Sequence, residues 1–204
     1  MSFFYQFTLP GMVHICVTKT KTMQRRKFIT LSAIVAMPFT AMAKWANELS
    51  SKNPFVIKKK ESRFGDVVKF LGVHPNDLKI SSKDTDGQLS VFEYTGLGKV
   101  GPALHIHFNQ DEIFMVTEGE YRFVVGDETK NLVAGDTIFL PRNIPHTWIQ
   151  TSEKGKMIYF LQPAGKMEEF FLIMNKFTER PSPEEIDRIH AAHDMKVVGP
   201  PLTL

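Results

Sequence analysis

The sequence contains a single cysteine, Cys16, among 204 residues. One thiol can supply neither an intrachain disulfide framework nor a thiolate metal cluster, so the sequence excludes both. The chain also has no phosphate-binding loop of the G-x-x-x-x-G-K-[S/T] type and no G-x-S-x-G nucleophile turn. Nucleotide-dependent transfer and serine- or cysteine-based hydrolysis are therefore not indicated.

An excess of charge of either sign is also missing from most of the chain. Five of its 25 Lys and Arg residues lie in residues 1–43, which contain no Asp or Glu. The remaining residues carry 20 basic and 22 acidic side chains. This balance gives no basic surface for nucleic acid, so DNA or RNA binding is not expected.

Near the N-terminus, a basic stretch followed by an apolar run has the pattern of an export signal. Residues 24–29 (QRRKFI) carry the paired arginines of a twin-arginine signal. A short apolar run, residues 28–39, precedes a small-x-small cleavage pattern at residues 41–43 (AMA). The run is shorter than the roughly 18 residues that span a bilayer. We expect export to the periplasm or medium; the alternative is a short hydrophobic helix in an intracellular protein. Because an export signal usually begins a chain, translation could start at Met1, Met12 or Met23.

After the signal, the sequence predicts three regions. Residues 44–64 are polar and mixed and are interpreted as an arm or linker. Residues 65–163 contain short apolar runs of about five residues separated by Gly, Asp, Asn and Pro turn signals, which is typical of an all-β sandwich or barrel. Residues 164–204 predict a tail of two short helices, the second starting at Ser182 as N-cap, with regular structure ending at Gly199.

Three histidines and one glutamate stand at spacings that strands can bring together. His105 and His107 share one face of a strand, Glu112 begins the next strand, and His146 opens a third. Imidazole nitrogens and a carboxylate suit Fe(II), Mn(II), Ni(II), Cu(II) or Zn(II), and four protein ligands leave a coordination position open. The pattern predicts one divalent transition metal at His105, His107, Glu112 and His146.

Strand alternation identifies the neighbours of these ligands. The residues expected on the same faces, and so in a substrate pocket, are Ala103, Phe114, Val116, Trp148 and Gln150. Phe114 and Trp148 are equally compatible with plain barrel core, whereas Gln150 is the candidate for a hydrogen bond to substrate or ligand. The opposite faces are apolar too, at Leu104, Ile106, Phe108, Ile113 and Met115. We expect a homodimer interface or a packed tail to cover them.

The order and spacing of these residues resemble the two signature motifs of the cupin superfamily. Gly98…His105-x-His107-x4-Glu112-x6-Gly119 is similar to the first motif, and Gly135-x5-Pro141-x-Asn143-x2-His146-x3-Gln150 to the second. Three departures spare the ligands: the leading glycine lies one residue further out, Asn143 replaces a turn glycine, and Gln150 stands where the family has Asn. The resemblance implies an antiparallel jelly-roll β-barrel that binds one metal through His105, His107, Glu112 and His146.

The resemblance is strongest to single-barrel, type-2, quercetin dioxygenase-like cupins. It implies a metal-dependent dioxygenase, with Fe(II) as the favoured metal, that acts on a small enol or phenol while Glu112 accepts the proton of its hydroxyl group. That role requires a raised pKa, which we expect from an apolar pocket. Two alternatives remain: a metal-dependent isomerase or lyase of a small oxygenated metabolite, and a non-catalytic periplasmic module that binds a small molecule.

Overall fold

The computed structural model describes residues 53–204. The signal peptide and the start-codon alternatives, predicted for residues 1–43, lie outside the described residues, as does the first part of the predicted arm. Residues 53–64 contain no strand or helix. They are tied to the rest of the domain by Arg63, whose guanidinium contacts both carboxylate oxygens of Asp84 at 2.9 and 3.0 Å.

Two antiparallel sheets make up the domain, which confirms the predicted all-β fold. The first sheet has the strand order β1-β2-β3-β10-β5-β8, and the second has the order β11-β4-β9-β6-β7. The strands are β1 (Lys69–Phe70), β2 (His74–Ile80), β3 (Ser90–Gly96), β4 (Ala103–His107), β5 (Asp111–Glu118), β6 (Glu120–Val125), β7 (Glu128–Val133), β8 (Thr137–Leu140), β9 (His146–Gln150), β10 (Gly155–Gln162) and β11 (Met195–Pro201).

Alternation along the strands builds the core between the two sheets. In β3 the inward residues are Phe92 and Tyr94, and in β10 they are Met157, Tyr159 and Leu161, all of them buried. Aromatic rings of the two sheets meet in the interior. The ring centroids of Phe114 in the first sheet and Phe123 in the second are 5.4 Å apart, and those of Tyr94 and Trp148 are 5.0 Å apart. The period-two pattern of the sequence therefore determines which side chains enter the barrel.

The tail contains both predicted helices, α1 (Met167–Met174) and α2 (Pro183–Ala192). Ser182 caps α2 as expected, because its hydroxyl accepts a hydrogen bond from the backbone N–H of Glu185 at 3.2 Å. The prediction that regular structure ends at Gly199 is wrong. Residues 195–201 form β11, which pairs antiparallel with β4. The alternation of this strand was hidden by Gly199 and two prolines, residues that strands usually avoid.

Polar contacts fasten α1 to the barrel at both ends. The carboxylate of Glu168 accepts hydrogen bonds from the Ser81 hydroxyl at 2.8 Å and from the Ser82 backbone N–H. At the other end the Asn175 side chain accepts from the Lys69 N–H and donates to the Val67 carbonyl, both at 2.9 Å. The helix is thus held against the β1–β2 edge of the first sheet.

The outward apolar residues of β4 and β5 are only partly covered. Met115 and Phe108 are more than two-fifths exposed, and Phe139, which pairs with Ile113 across β8 and β5, is 57% exposed. Among residues 53–204 there is no helix with the length and apolar character needed to span a membrane.

Candidate metal centre

The four predicted ligands come from three strands in two sheets. His105 and His107 lie on β4 and His146 on the adjacent β9, where His105 and His146 are direct partners across the strands. Glu112 reaches them from β5 in the facing sheet. Because all four side chains point into the barrel, residues 41 positions apart in the sequence meet at one place.

The ligand atoms of this cluster lie within 4.8 Å of one another. Nε2 of His107 is 3.6 Å from one carboxylate oxygen of Glu112, and Nε2 of His146 is 3.2 Å from the other. His107, Glu112 and His146 are buried, whereas His105 is partly accessible. The prediction that these four residues converge is therefore confirmed in the described part of the chain.

Backbone carbonyls fix the orientation of two imidazoles. Nδ1 of His105 lies 2.8 Å from the carbonyl oxygen of Ala103, and Nδ1 of His146 lies 2.9 Å from that of Ile144. A carbonyl only accepts, so each Nδ1 carries a proton, and in the neutral imidazole Nε2 then keeps its lone pair. The lone pairs face the cluster, which is the tautomer a metal ligand requires.

Burial keeps His105 and His107 neutral, and the neighbouring imidazoles keep Glu112 ionised. Burial, aided by His146 and His107, lowers the pKa of His105 to about 3. Burial also lowers the pKa of His107. Burial alone would raise the pKa of Glu112, but the combined effect of the three histidines, His107 first, outweighs it and lowers the pKa to about 2. The expected rise in the pKa of Glu112 is therefore wrong.

The donor set fits a divalent cation. Nε2 of the neutral imidazole at position 146 is an acceptor, as is the Glu112 carboxylate oxygen 3.2 Å away, so a cation between the two atoms would satisfy both. No described group forms a regular hydrogen bond with this buried Nε2. Three imidazole nitrogens and one carboxylate suit Fe(II), Mn(II), Ni(II), Cu(II) or Zn(II). His105, His107, Glu112 and His146 are thus the residues that would hold the metal.

Gln110 is a neighbour of the cluster that motif reasoning missed. Its buried side chain is close enough to His107 to raise the pKa of that imidazole against the effect of burial. Neither Gln110 Oε1 nor His107 Nδ1 forms a regular hydrogen bond with another described group. Gly165 packs against the Gln110 amide so closely that an added Cβ would collide with it. The signal available in the sequence was weak, because Gln110 lies in the loop before Glu112.

A cavity of about 900 Å³ adjoins the cluster. His105, His107 and Glu112 form part of its surface, together with Ala103, Phe114 and Trp148 of the predicted pocket. Its lining is otherwise mainly apolar and includes a series of aromatic side chains: Phe70, Tyr94, Tyr159, Phe170, Phe171 and Phe177. A site of this size and character is typical of small-molecule binding.

Two residues of the predicted pocket do not reach the cavity. Val116 is buried in the core, and Gln150 is fully buried. The Gln150 amide accepts from the Tyr121 hydroxyl at 3.2 Å and donates to the Ser152 carbonyl at 2.9 Å. Both ends of this amide therefore serve the fold, and the prediction that Gln150 hydrogen-bonds substrate or ligand is corrected.

The tail and the first strands supply the rest of the cavity wall. Helices α1 and α2 contribute Met167, Phe170, Met174, Ile186 and His190, and β1 contributes Lys69 and Phe70. Asn76 of β2 also lines it. Strand periodicity is enough to predict that Tyr94 points inward on β3. No local signal in the sequence shows that the tail, residues 164–204, returns over the metal ligands.

Comparison with known proteins assigns the central part of the chain. Residues 94–161 match the family model described as the cupin domain. None of the curated proteins matches the sequence.

Several solved structures resemble the fold at low identity. KdgF from a Halomonas species is 15% identical, with 54% of this chain and 94% of that one covered and a TM-score of 0.45. An RmlC-like cupin from Shewanella frigidimarina is 20% identical over 52% and 93% of the two chains, with a TM-score of 0.42. A predicted oxalate decarboxylase from Thermotoga maritima is 16% identical over 44% and 79%, with a TM-score of 0.42. These likenesses say nothing about the activity or the ligand of this chain.

Proposed function

Since residues 94–161 form a cupin domain whose ligand side chains meet in the barrel, we propose that the protein is an exported, metal-dependent dioxygenase. Its substrate is a small enol or phenol of the flavonol kind. The observation that carries the proposal is the opening of a buried three-histidine, one-glutamate cluster into a large cavity with aromatic walls.

Each part of the site has a task in this proposal. A bound divalent metal, Fe(II) in the favoured case, would supply Lewis acidity and redox chemistry toward dioxygen. His105 and His146, oriented by backbone carbonyls, would direct Nε2 toward it, and His107 would add a third imidazole. Glu112, ionised because its pKa is about 2, is a ligand first. With a low pKa Glu112 is a weak base, so it would accept a proton only from an acidic hydroxyl group of the substrate.

The aromatic walls support the choice of an aromatic substrate. Phe114 and Tyr159 are stacked at 5.0 Å, and Trp148 lies edge-on to Tyr94 at 5.0 Å. Such surfaces bind a planar ring by burial and stacking, and they exclude water from the reacting atoms. The helices over the cavity extend this apolar lining to the β1 edge.

Oxygen uptake by metal-replete protein tests the proposal. A panel of flavonols and other enediols should give uptake for at least one compound, and His105→Ala should abolish it. His74→Gln is a matched control, because His74 is a buried histidine that lies outside the cluster. Turnover that persists without oxygen would point to an isomerase or lyase instead. Ligand retention with no product would point to a binding module.

Export and dimer formation are part of the same proposal and have their own tests. N-terminal sequencing of the secreted protein is expected to find Lys44 as the first residue, and an intact Met1 end would contradict export. Met115 and Phe139, partly exposed on neighbouring strands of the first sheet, favour a homodimer that covers this apolar outer face. Light scattering of the purified protein should therefore give the mass of two chains, and a monomer would contradict this.

A further inference from the structure

Two buried polar side chains in the cavity wall have atoms without a partner in the described part of the chain. They are Asn76 through Nδ2 and Tyr94 through its hydroxyl group. Each residue is only 2% exposed, and each lines the cavity. We call Asn76 and Tyr94 the wall pair.

The two residues are direct neighbours and are held in place. Asn76 on β2 and Tyr94 on β3 are partners across the antiparallel strands, so their side chains share a face. The Tyr159 hydroxyl donates to Asn76 Oδ1 at 2.9 Å, which fixes the amide with Nδ2 as its free end. The Tyr94 ring packs against Phe70 at 5.8 Å and Trp148 at 5.0 Å.

Leaving these groups unpaired is costly for the fold. A buried donor without a partner loses its hydrogen bonds to water and gains nothing in return. Phe in place of Tyr94 would keep the ring contacts without that cost. Buried unsatisfied groups in residues that line a cavity are therefore suited to a ligand instead of the resting fold.

The wall pair is separate from the metal ligands. Glu112 pairs with Leu161 on β10, whereas Tyr94 pairs with Met157. These two positions of β10 are four residues apart. That offset is roughly 13 Å in the strand direction. The backbone positions of Glu112 and of the wall pair therefore lie at different levels of the barrel.

We propose that the wall pair is a second polar binding point of the cavity, which holds an oxygen atom of the substrate remote from its reacting hydroxyl group. The Asn76 amide donates to this oxygen and the Tyr94 hydroxyl completes the contact. This inference rests on the proposed function, in which the cavity receives the substrate. It specifies the substrate class as an extended, mainly apolar compound with two oxygen functions on separate parts of its skeleton.

Calorimetric titration of the metal-replete protein tests the proposal with defined probes. The probes are 3-hydroxyflavone, which carries only the reacting group and its neighbouring carbonyl, and its derivatives with one more hydroxyl at position 5, 7 or 4′. The wild type should bind at least one derivative about five- to tenfold more tightly than 3-hydroxyflavone. Tyr94→Phe and Asn76→Leu should reduce this preference to about one.

Tyr121→Phe provides the matched control. Tyr121 is also a buried tyrosine, but its hydroxyl donates to Gln150 and it does not line the cavity. Tyr121→Phe should keep the ligand preference and lower the melting temperature by about 2–4 °C. Tyr94→Phe should do the opposite, with the preference lost and the melting temperature unchanged or higher.

Three outcomes would overturn the proposal: no preference in the wild type, an unchanged preference in Tyr94→Phe, or a melting temperature that falls in Tyr94→Phe as far as in Tyr121→Phe. These readouts are separate from oxygen uptake. A ligand preference without oxygen uptake would reject the dioxygenase and keep the wall pair. Oxygen uptake without a preference would do the reverse.

Discussion

The floor and the roof of the cavity are built in different ways. The floor, formed by His105, His107, Glu112 and His146, comes from three strands within 42 residues of sequence. The roof, formed by α1, α2 and β1, joins residues about 100 positions apart, such as Lys69 and Asn175. A short stretch with fixed spacing sets the chemistry, whereas long-range contacts set the space above it. The two should therefore respond separately to mutation.

The largest expected effect is the loss of metal binding when one ligand of the floor is replaced. Glu112→Gln removes the only anionic ligand, so metal affinity should fall by about 100-fold or more and oxygen uptake should be lost. The roof does not contact this carboxylate through any hydrogen bond among the described residues, so the contacts that hold α1 should be unaffected. Inductively coupled plasma measurements after dialysis provide the readout.

Glu169→Gln is the control for this substitution, because Glu169 is exposed on α1. It should leave metal content and uptake unchanged. Full metal content in Glu112→Gln would show that the carboxylate is not a ligand.

A fall in pH should lower the stability of the metal-free protein mainly through the residues of the floor. In the metal-free protein the pKa of His105 is about 3, against an ordinary value of 6.5. The unfolded chain therefore takes up the proton first, and stability is lost as pH falls below 6.5 toward 3. The expected loss from this group is about 2 kcal/mol between pH 6.5 and 5. Glu112, with a pKa of about 2, adds a further loss only below its ordinary value of 4.5.

Urea unfolding in the presence of chelator at several pH values measures this loss. His105→Asn should flatten the slope by about 1.4 kcal/mol per pH unit between pH 6.5 and 5. A free energy of unfolding that stays constant or rises over that interval would contradict the assigned pKa of His105.

A change in the roof should leave the floor intact. Glu168→Ala removes the hydrogen bonds from Ser81 and Ser82 that fasten the start of α1. It should destabilise the protein by about 1–2 kcal/mol and raise the KM of an active substrate, with metal content unchanged. Chemical unfolding and steady-state kinetics give the two readouts. Since Glu169→Ala alters the adjacent exposed carboxylate, it should change neither; loss of metal in Glu168→Ala would show that floor and roof are coupled.

The smallest expected effect concerns the contact between Gln110, in the loop before β5, and the metal ligand His107. Gln110→Leu removes the amide beside His107 and keeps most of the side-chain volume. Metal affinity should fall about tenfold, because a less well oriented imidazole binds more weakly. Competition with a chromophoric chelator measures this change. An affinity equal to that of the wild type would assign Gln110 to packing alone.

The same contrast explains which features the sequence could predict. His105, His107, Glu112 and His146 were found because strand alternation and a fixed spacing place them on facing strands. The start of α2 at Ser182 was found because its capping is local. Gln150 was misplaced because alternation gives the face of a strand but not the depth in the barrel or the hydrogen-bond partner.

Long-range contacts account for what the sequence did not reveal. β11 was missed because its pairing with β4 joins residues about 90 positions apart and passes through Gly199 and Pro201. The wall pair was missed because Asn76 and Tyr94 become neighbours only when β2 pairs with β3. The low pKa of Glu112 depends on three imidazoles whose distances no spacing rule supplies.

The most direct test is the metal content of protein purified without chelator, compared with the His146→Ala variant. We predict about one divalent transition metal ion per chain in the wild type and close to none in the variant, with both proteins folded by circular dichroism. A folded wild type that binds no such metal, even after incubation with Fe(II), Mn(II), Ni(II), Cu(II) and Zn(II), would contradict the assignment of these four residues as a metal centre.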